Sequence, residues 1–204
     1  MKNKVLLPVF YLPPISWFSA LENAEEIELE QYENFIKQTY RNRMCIYGAN
    51  GKLSLIIPIK HSGSKVLKDI KMSFAEDWVS HHWKSIKSAY QNTPYFEYYE
   101  HKIKSIYNYK TDSLIDFNCN AINVLLKIIK SDKKFSLSSE YNKVVDYEDY
   151  RDLFSTKSET SFEMIDYYQA FSDKHGFLKD LSILDLICNI GPESLTYIKN
   201  IKFE

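Results

Sequence analysis

Apolar residues cluster or alternate through the first third of the chain and then fall at helical spacing through much of the rest. Val5 to Leu12 is an apolar run with β-branched and aromatic members, closed by Pro13-Pro14. It reads as a buried first strand in which Pro8 marks a bulge or a weak middle. Ile15 to Ala24 follows as a short helix with Trp17, Phe18 and Leu21 inward, and Glu26 to Glu30 alternates as a strand does. Strand, crossover helix and strand make a βαβ unit, whose ligand crevice lies at the carboxyl ends of its strands, where Tyr11 and Glu30 fall. Tyr40 to Tyr47 and Lys52 to Ile59 predict a hairpin closed by Gly48-Ala49-Asn50-Gly51, with Pro58 ending the pairing or lying at an edge. Lys60 to Lys65 is polar and predicts a mobile loop, and Val66 to Phe74 predicts one more short strand.

From Asp77 the period turns helical. Asp77 suits the N-cap of a helix over residues 78–90 that carries Trp78, His82, Ser85 and Ala89 on one flank. Gln91 to Pro94 breaks it, and the next helix has the stripe Phe96, Tyr99, Ile103 and Ile106. A third helix, Ser113 to Ile129, buries Leu114, Phe117, Ala121, Leu125 and Ile128. Ser131 to Asp152 is polar and predicts a short strand followed by a long loop. Ser182-x-x-Asp185 opens a helix that Gly191 stops and Pro192 restarts toward Lys199. With no repeat or linker, the 204 residues predict a single domain. The fold class is α/β: an N-terminal βαβ-type sheet with a β-hairpin, and a mainly helical C-terminal half packed on it.

Composition narrows the function. The chain is 45% apolar with five glycines and six prolines, which suits a compact core. A net charge of -1 excludes broad electrostatic attraction to nucleic acid or to an anionic membrane, so any anion site is local. The apolar start, Val5 to Phe18, is broken by prolines and too short to span a bilayer, and no secretory signal is visible. Cys45, Cys119 and Cys188 lack metal or disulfide spacing and predict a reducing cytoplasm. Sixteen tyrosines stand out, because a tyrosine offers a ligand cleft both a flat apolar face and a hydroxyl.

The densest candidate chemistry is Lys37-Gln38-Thr39-Tyr40-Arg41-Asn42-Arg43. A strand running through it aligns Lys37, Arg41 and Arg43 on one face, an arrangement that needs an anion opposite. Two readings stay open: an internal salt-bridge network with Glu28, Glu30 and Glu33, or a clamp for a phosphate or carboxylate ligand. There is no glycine-rich phosphate cradle, so side chains must hold any phosphate, with Lys60 or His61 as possible helpers. His82 suits a general base and equally a hydrogen-bonded core histidine. Tyr90 and Tyr95 flank a helix break where an anion or ordinary packing fits. His81-His82 and Glu97, Glu100 and His101 lack the partners of a metal site, and the cysteines read as packing residues.

Several of these stretches together resemble the WbqC-like family of bacterial proteins. They are Tyr11-Leu12-Pro13-Pro14 with Trp17-Phe18, Glu30 with Lys37 and Arg41-Asn42-Arg43, Pro58-Ile59, His82-Trp83, Tyr90 with Pro94-Tyr95-Phe96, and Leu181-Ser182 with Asp185-Leu186. Where that family shows Asp-x-x-Gln, this chain reads Glu30-x-x-Glu33. The resemblance implies a role in O-antigen or other surface polysaccharide synthesis, with aminoacyl (glycine) or acyl transfer to an amino sugar as one activity. Its substrate is then a small molecule, a nucleotide sugar among the candidates. Glu30 and His82 stand as catalytic candidates, and Tyr11, Lys37, Arg41, Asn42, Arg43, Tyr90 and Tyr95 as substrate-binding ones. The rival expectation is a non-catalytic binding or assembly protein of the same pathway. No cofactor or oligomeric state is readable.

Overall fold

The computed structural model describes residues 3–60, 63–158 and 162–202, so His61 lies outside the described residues. Strand β1 (Lys4–Pro8), helix α1 (Ile15–Asn23) and strand β2 (Glu26–Glu30) form the expected βαβ unit, with Val5 opposite Ile27 and Pro8 opposite Glu30 in parallel register. β1 is shorter than the apolar run that predicts it. Pro8 is its last residue, and the Pro8 carbonyl accepts the indole N–H of Trp17 at 2.9 Å, tying α1 back onto the strand. Val9 to Leu12 continues the chain, fully buried, above the carboxyl end of the sheet.

The hairpin is β3 (Arg43–Gly48) with β4 (Gly51–Ile56). Residues 37–42 are a turn, not the upstream half of a strand, so the three cations do not share a sheet face. The side chains explain why: Arg41 and Asn42 bond to Glu33, Thr39 and the Ile57 carbonyl, and these local bonds compete with a ladder. The expected strand at Val66 to Phe74 is also replaced, by a 3-10 turn at Leu67–Asp69. There Leu67 and Lys68 donate their N–H groups to the carbonyls of Glu33 and Gln31, strapping the turn to the loop after β2.

Helices α2 (Trp78–Tyr90), α3 (Phe96–Tyr107) and α4 (Leu114–Ile128) match the predicted periods. Asp77 caps α2 by accepting the N–H of Ser80, and Ser113 caps α4 by accepting that of Asp116. The polar stretch after α4 contributes two short strands rather than one, β5 (Ser136–Leu137) beside β2 and β6 (Glu148–Asp149) beside β1. The parallel sheet therefore reads β5-β2-β1-β6. Helices α5 (Ser172–His175), α6 (Ile183–Ile190) and α7 (Ser194–Lys199) complete the helical half, with α7 against α1 and α6 against α3.

Gly191, at φ +54°, ends α6 under the ring of Tyr95, and a Cβ there would stand 2.5 Å from that ring. Gly51 also has positive φ, but open space surrounds it. Gly51→Ala should cost about 1 kcal/mol from backbone conformation alone, whereas Gly191→Ala should cost about 2–4 kcal/mol as overpacking adds to it. Denaturant unfolding of the two variants separates these contributions.

Candidate functional site

The carboxyl ends of β1 and β2 meet a layer of buried charge. Glu30 is 1% exposed. One of its oxygens accepts from the Tyr32 N–H at 2.7 Å and the Ser138 hydroxyl at 2.8 Å, and the other lies 3.6 Å from Arg151, which also holds Asp149. Glu33 and Arg41 form a buried two-pronged pair, Nε to Oε1 at 2.8 Å and Nη2 to Oε2 at 2.5 Å. Burial raises the pKa of Glu33, against the lowering pull of the Arg41 guanidinium. The predicted cations thus part company. Arg41 belongs to the internal salt-bridge network, and Lys37 is exposed on the turn.

Arg43 sits opposite Ile56 in the hairpin, half-buried, and its Nε is enclosed without a hydrogen-bond partner among the described residues. It is not alone. Asn42 donates to the Ile57 carbonyl and Asn118 to the Arg41 carbonyl, yet both amide oxygens are buried and unpartnered. The indole N–H of Trp78 is in the same condition. Buried polar groups are normally satisfied, so four orphans on neighbouring residues mark a place where protein contacts alone do not complete the bonding.

These residues surround a hydrogen-bonded chain. Tyr11 lies 2.6 Å from the hydroxyl of Tyr107 and 2.9 Å from Nδ1 of His82, whose Nε2 is 3.2 Å from the Ile56 carbonyl. A carbonyl only accepts, so Nε2 carries the proton and Nδ1 accepts from Tyr11, which in turn accepts from Tyr107. Burial lowers the His82 pKa to about 4, so the ring is neutral at pH 7. Trp78 packs edge-on to His82, with ring centroids 5.1 Å apart. Outside this chain a groove of about 300 Å³ opens between β4 and α2, lined by Ser54, Ile56, Pro58, Glu76, Asp77, Trp78, His81 and His82.

The other two candidates lie elsewhere. The Tyr90 hydroxyl accepts from the Tyr47 N–H and faces Asp185, a buried carboxyl that accepts from Tyr167 and Gln169. Burial pushes Asp185 up to about 6. Tyr95 lines a separate notch with Tyr98 and Lys102. Of the nine expected residues, His82 lines the groove, Tyr11 bonds to His82 behind it, Asn42 and Arg43 reach the adjoining backbone at Ile57 and Ile56, and Glu30 and Arg41 are bound into the charge layer. Sequence reasoning missed Trp78 and Asn118 as site residues. Asn118 was readable, because it interrupts the buried series Leu114, Ala121, Leu125 with an amide at the register of the apolar stripe.

A parallel sheet with a buried charge layer at its carboxyl end, a β-hairpin and a helical half define a mixed α/β protein. A model of the WbqC-like protein family matches residues 9–153, and the chain belongs to that family. The matched span contains every residue of the groove. Comparison with curated proteins and with solved structures finds no match in either. Among the described residues no helix is long and apolar enough to cross a membrane, and no group of side chains is arranged to hold a metal ion.

Two measurements test this geometry. Glu33→Ala leaves Arg41 buried without its carboxylate and should cost about 3–5 kcal/mol in denaturant unfolding, whereas the Glu33→Leu, Arg41→Met double variant should cost less than that single change. Acidification should also separate His82 from Asp185, two of the buried groups whose titration is shifted. Between pH 6.5 and about 4 the unfolded chain binds the His82 proton that the folded one refuses, so stability falls with pH. Asp185, raised to about 6, works the other way and stabilises as pH falls below 6. His82→Gln should therefore spare the protein roughly 2–3 kcal/mol of the loss between pH 7 and 4.5, and Asp185→Asn should deepen it.

Proposed function

We propose that the protein is a cytoplasmic transferase of surface polysaccharide (O-antigen) synthesis that places an acyl or aminoacyl group, glycine among them, on the amine of a nucleotide-linked amino sugar. Family membership supports the pathway, and the single observation that carries the site is the set of unspent buried hydrogen-bonding atoms around Tyr11 and His82. A sugar, dense in hydroxyl donors and acceptors, is the class of ligand that two amide oxygens, an indole N–H and a guanidinium Nε would complete.

The chemistry assigns each group a task. The neutral amine attacks the acyl carbonyl, a C–N bond forms, the carbonyl oxygen gains charge and the nitrogen sheds a proton before the donor's leaving group departs. Arg43 is the cation for the developing oxyanion. His82 has both ring nitrogens engaged and acts as a fixed neutral wall. His81, exposed on the groove, carries no ring hydrogen bond among the described residues and is the imidazole free to accept the amine proton. The commitment of His82 and Glu30 to internal bonds favours the second reading, a non-catalytic sugar-binding protein of the same pathway.

The test is a binding and transfer experiment on nucleotide-linked amino sugars with acyl and aminoacyl donors. Arg43→Met removes an unsatisfied polar atom, so the free protein should melt at the same temperature or higher. The same variant should lose the ligand-induced stabilisation and at least tenfold in transfer. Loss of stability with ligand response retained overturns the site. Binding without transfer by the parent protein selects the binding reading.

A further inference from the structure

A second cleft, of about 450 Å³, opens beside the N-terminus of α1, away from the His82 groove. Lys52 reaches it from β4, Lys157 from the segment after β6, and Lys179 from the segment before α6. None of the three forms an ion pair among the described residues. Three unneutralised ammonium groups around one concavity is a costly arrangement in a chain whose net charge is only -1. The cleft's one carboxylate offsets a single charge of the three and leaves the lining at +2: Asp180 also accepts the N–H and the hydroxyl of Ser16, both at 2.8 Å, and so caps α1.

The wall supplies neutral donors as well. Tyr40 is only 3% exposed, yet its hydroxyl has no hydrogen bond among the described residues although the residue lines the cleft. Ser155 accepts the N–H groups of Lys157 and Ser158, which leaves its own hydroxyl proton to give, and Ser158 offers another. Ammonium groups around aimed hydroxyls are the donor set for tetrahedral oxyanions, and lysine serves phosphate as a point charge without the fork geometry of arginine.

We propose that this cleft is a phosphate-binding site for a phosphorylated small molecule, with Lys52, Lys157 and Lys179 supplying the charge and Tyr40 and Ser158 the directed hydrogen bonds. The assignment rests on the transferase reading only in supposing a substrate that carries phosphate. It moves that phosphate off Arg41 and Lys37. Along β4, Lys52 lines this cleft while Ser54 and Ile56 line the His82 groove. Residues 52 and 56 of an extended strand are about 13 Å apart, so a ligand anchored here by phosphate extends its other end along β4 toward the groove.

Isothermal titration of the full chain with inorganic phosphate, pyrophosphate, a hexose 1-phosphate and uridine diphosphate tests the site. Pyrophosphate should bind, more weakly as salt rises. The exposed-surface double variant Lys157→Gln, Lys179→Gln should weaken it at least tenfold without changing the melting temperature. Tyr40→Phe, which keeps the ring, should weaken it severalfold, whereas Lys102→Gln with Lys127→Gln at the distant tyrosine notch should change nothing. Uridine diphosphate binding more tightly than both pyrophosphate and hexose phosphate identifies a nucleotide as the source, and hexose phosphate binding more tightly than inorganic phosphate identifies a sugar phosphate. Either order supports the phosphate site. No binding at millimolar pyrophosphate, or binding indifferent to the lysine pair, overturns it. Pyrophosphate contains neither sugar nor acyl group, so binding without any transfer leaves this site standing while the transferase reading falls, and transfer without pyrophosphate binding does the reverse.

Discussion

Arg41 holds three parts of the chain at once. Its guanidinium closes on Glu33 in the loop after β2, its carbonyl accepts from Asn118 on α4, and its charged end lies 5.8 Å from the ring centroid of Phe10 beyond β1. The pair is desolvated, so its worth is less in net stability than in geometry, since neither partner has another place to go. Tyr40 and Asn42 are its immediate neighbours. Where Arg41 sits therefore decides that Tyr40 faces the lysine-lined cleft and that Asn42 and Arg43 enter the hairpin beside His82. Glu33 also fits this role better than a glutamine, because both of its oxygens are used as acceptors and a glutamine offers one.

What the sequence made legible follows from how local each signal is. The periods of α2, α3 and α4, the Asp77 cap and the Gly48–Gly51 turn are written within a few residues, and the structure agrees with each. The turn at 37–42 was misread because its alternation is compatible with a strand. What defeats the strand is a bond between residues 33 and 41 that no local pattern shows. The two-residue strands β5 and β6 escaped for a related reason: each pairs with a strand more than 100 positions earlier. At the groove, Tyr11 and His82 were visible as residue types, but their 2.9 Å contact joins positions 71 apart and needs the fold.

The polar interior has two centres. Around Asp185, Tyr167, Gln169 and Tyr90 all turn toward one carboxyl, which ties α2 to α6, while its Oδ1 and the amide oxygen of Asn189 have no hydrogen-bond partner among the described residues. Around His82 the bonds are as short, and the outer atoms of Asn42, Asn118, Arg43 and Trp78 go unmatched among the described residues. Each unmatched atom carries a desolvation cost that a hydrogen-bonding partner would remove. What separates the two centres is position: at the His82 end of α2 the ring lines the groove beside β4, and at the other end Tyr90 faces the carboxyl of α6.

The extent of the family match divides the two concave sites. Every residue of the His82 groove lies inside the matched span 9–153, so the groove occupies positions that belong to the shared part of the chain. The cationic cleft is built differently: Tyr40 and Lys52 come from the matched span, but Ser155, Lys157, Ser158 and Lys179 come from beyond it. The segment that supplies them also caps α1 through Asp180 and closes over the Tyr47 hydroxyl through the carbonyls of Phe171 and Gly176. Those packing contacts hold the outer lysines against a hairpin that β4 shares with the groove. A change in the length or sequence of residues 154–180 therefore alters the charge of the cleft while leaving the groove's own atoms in place.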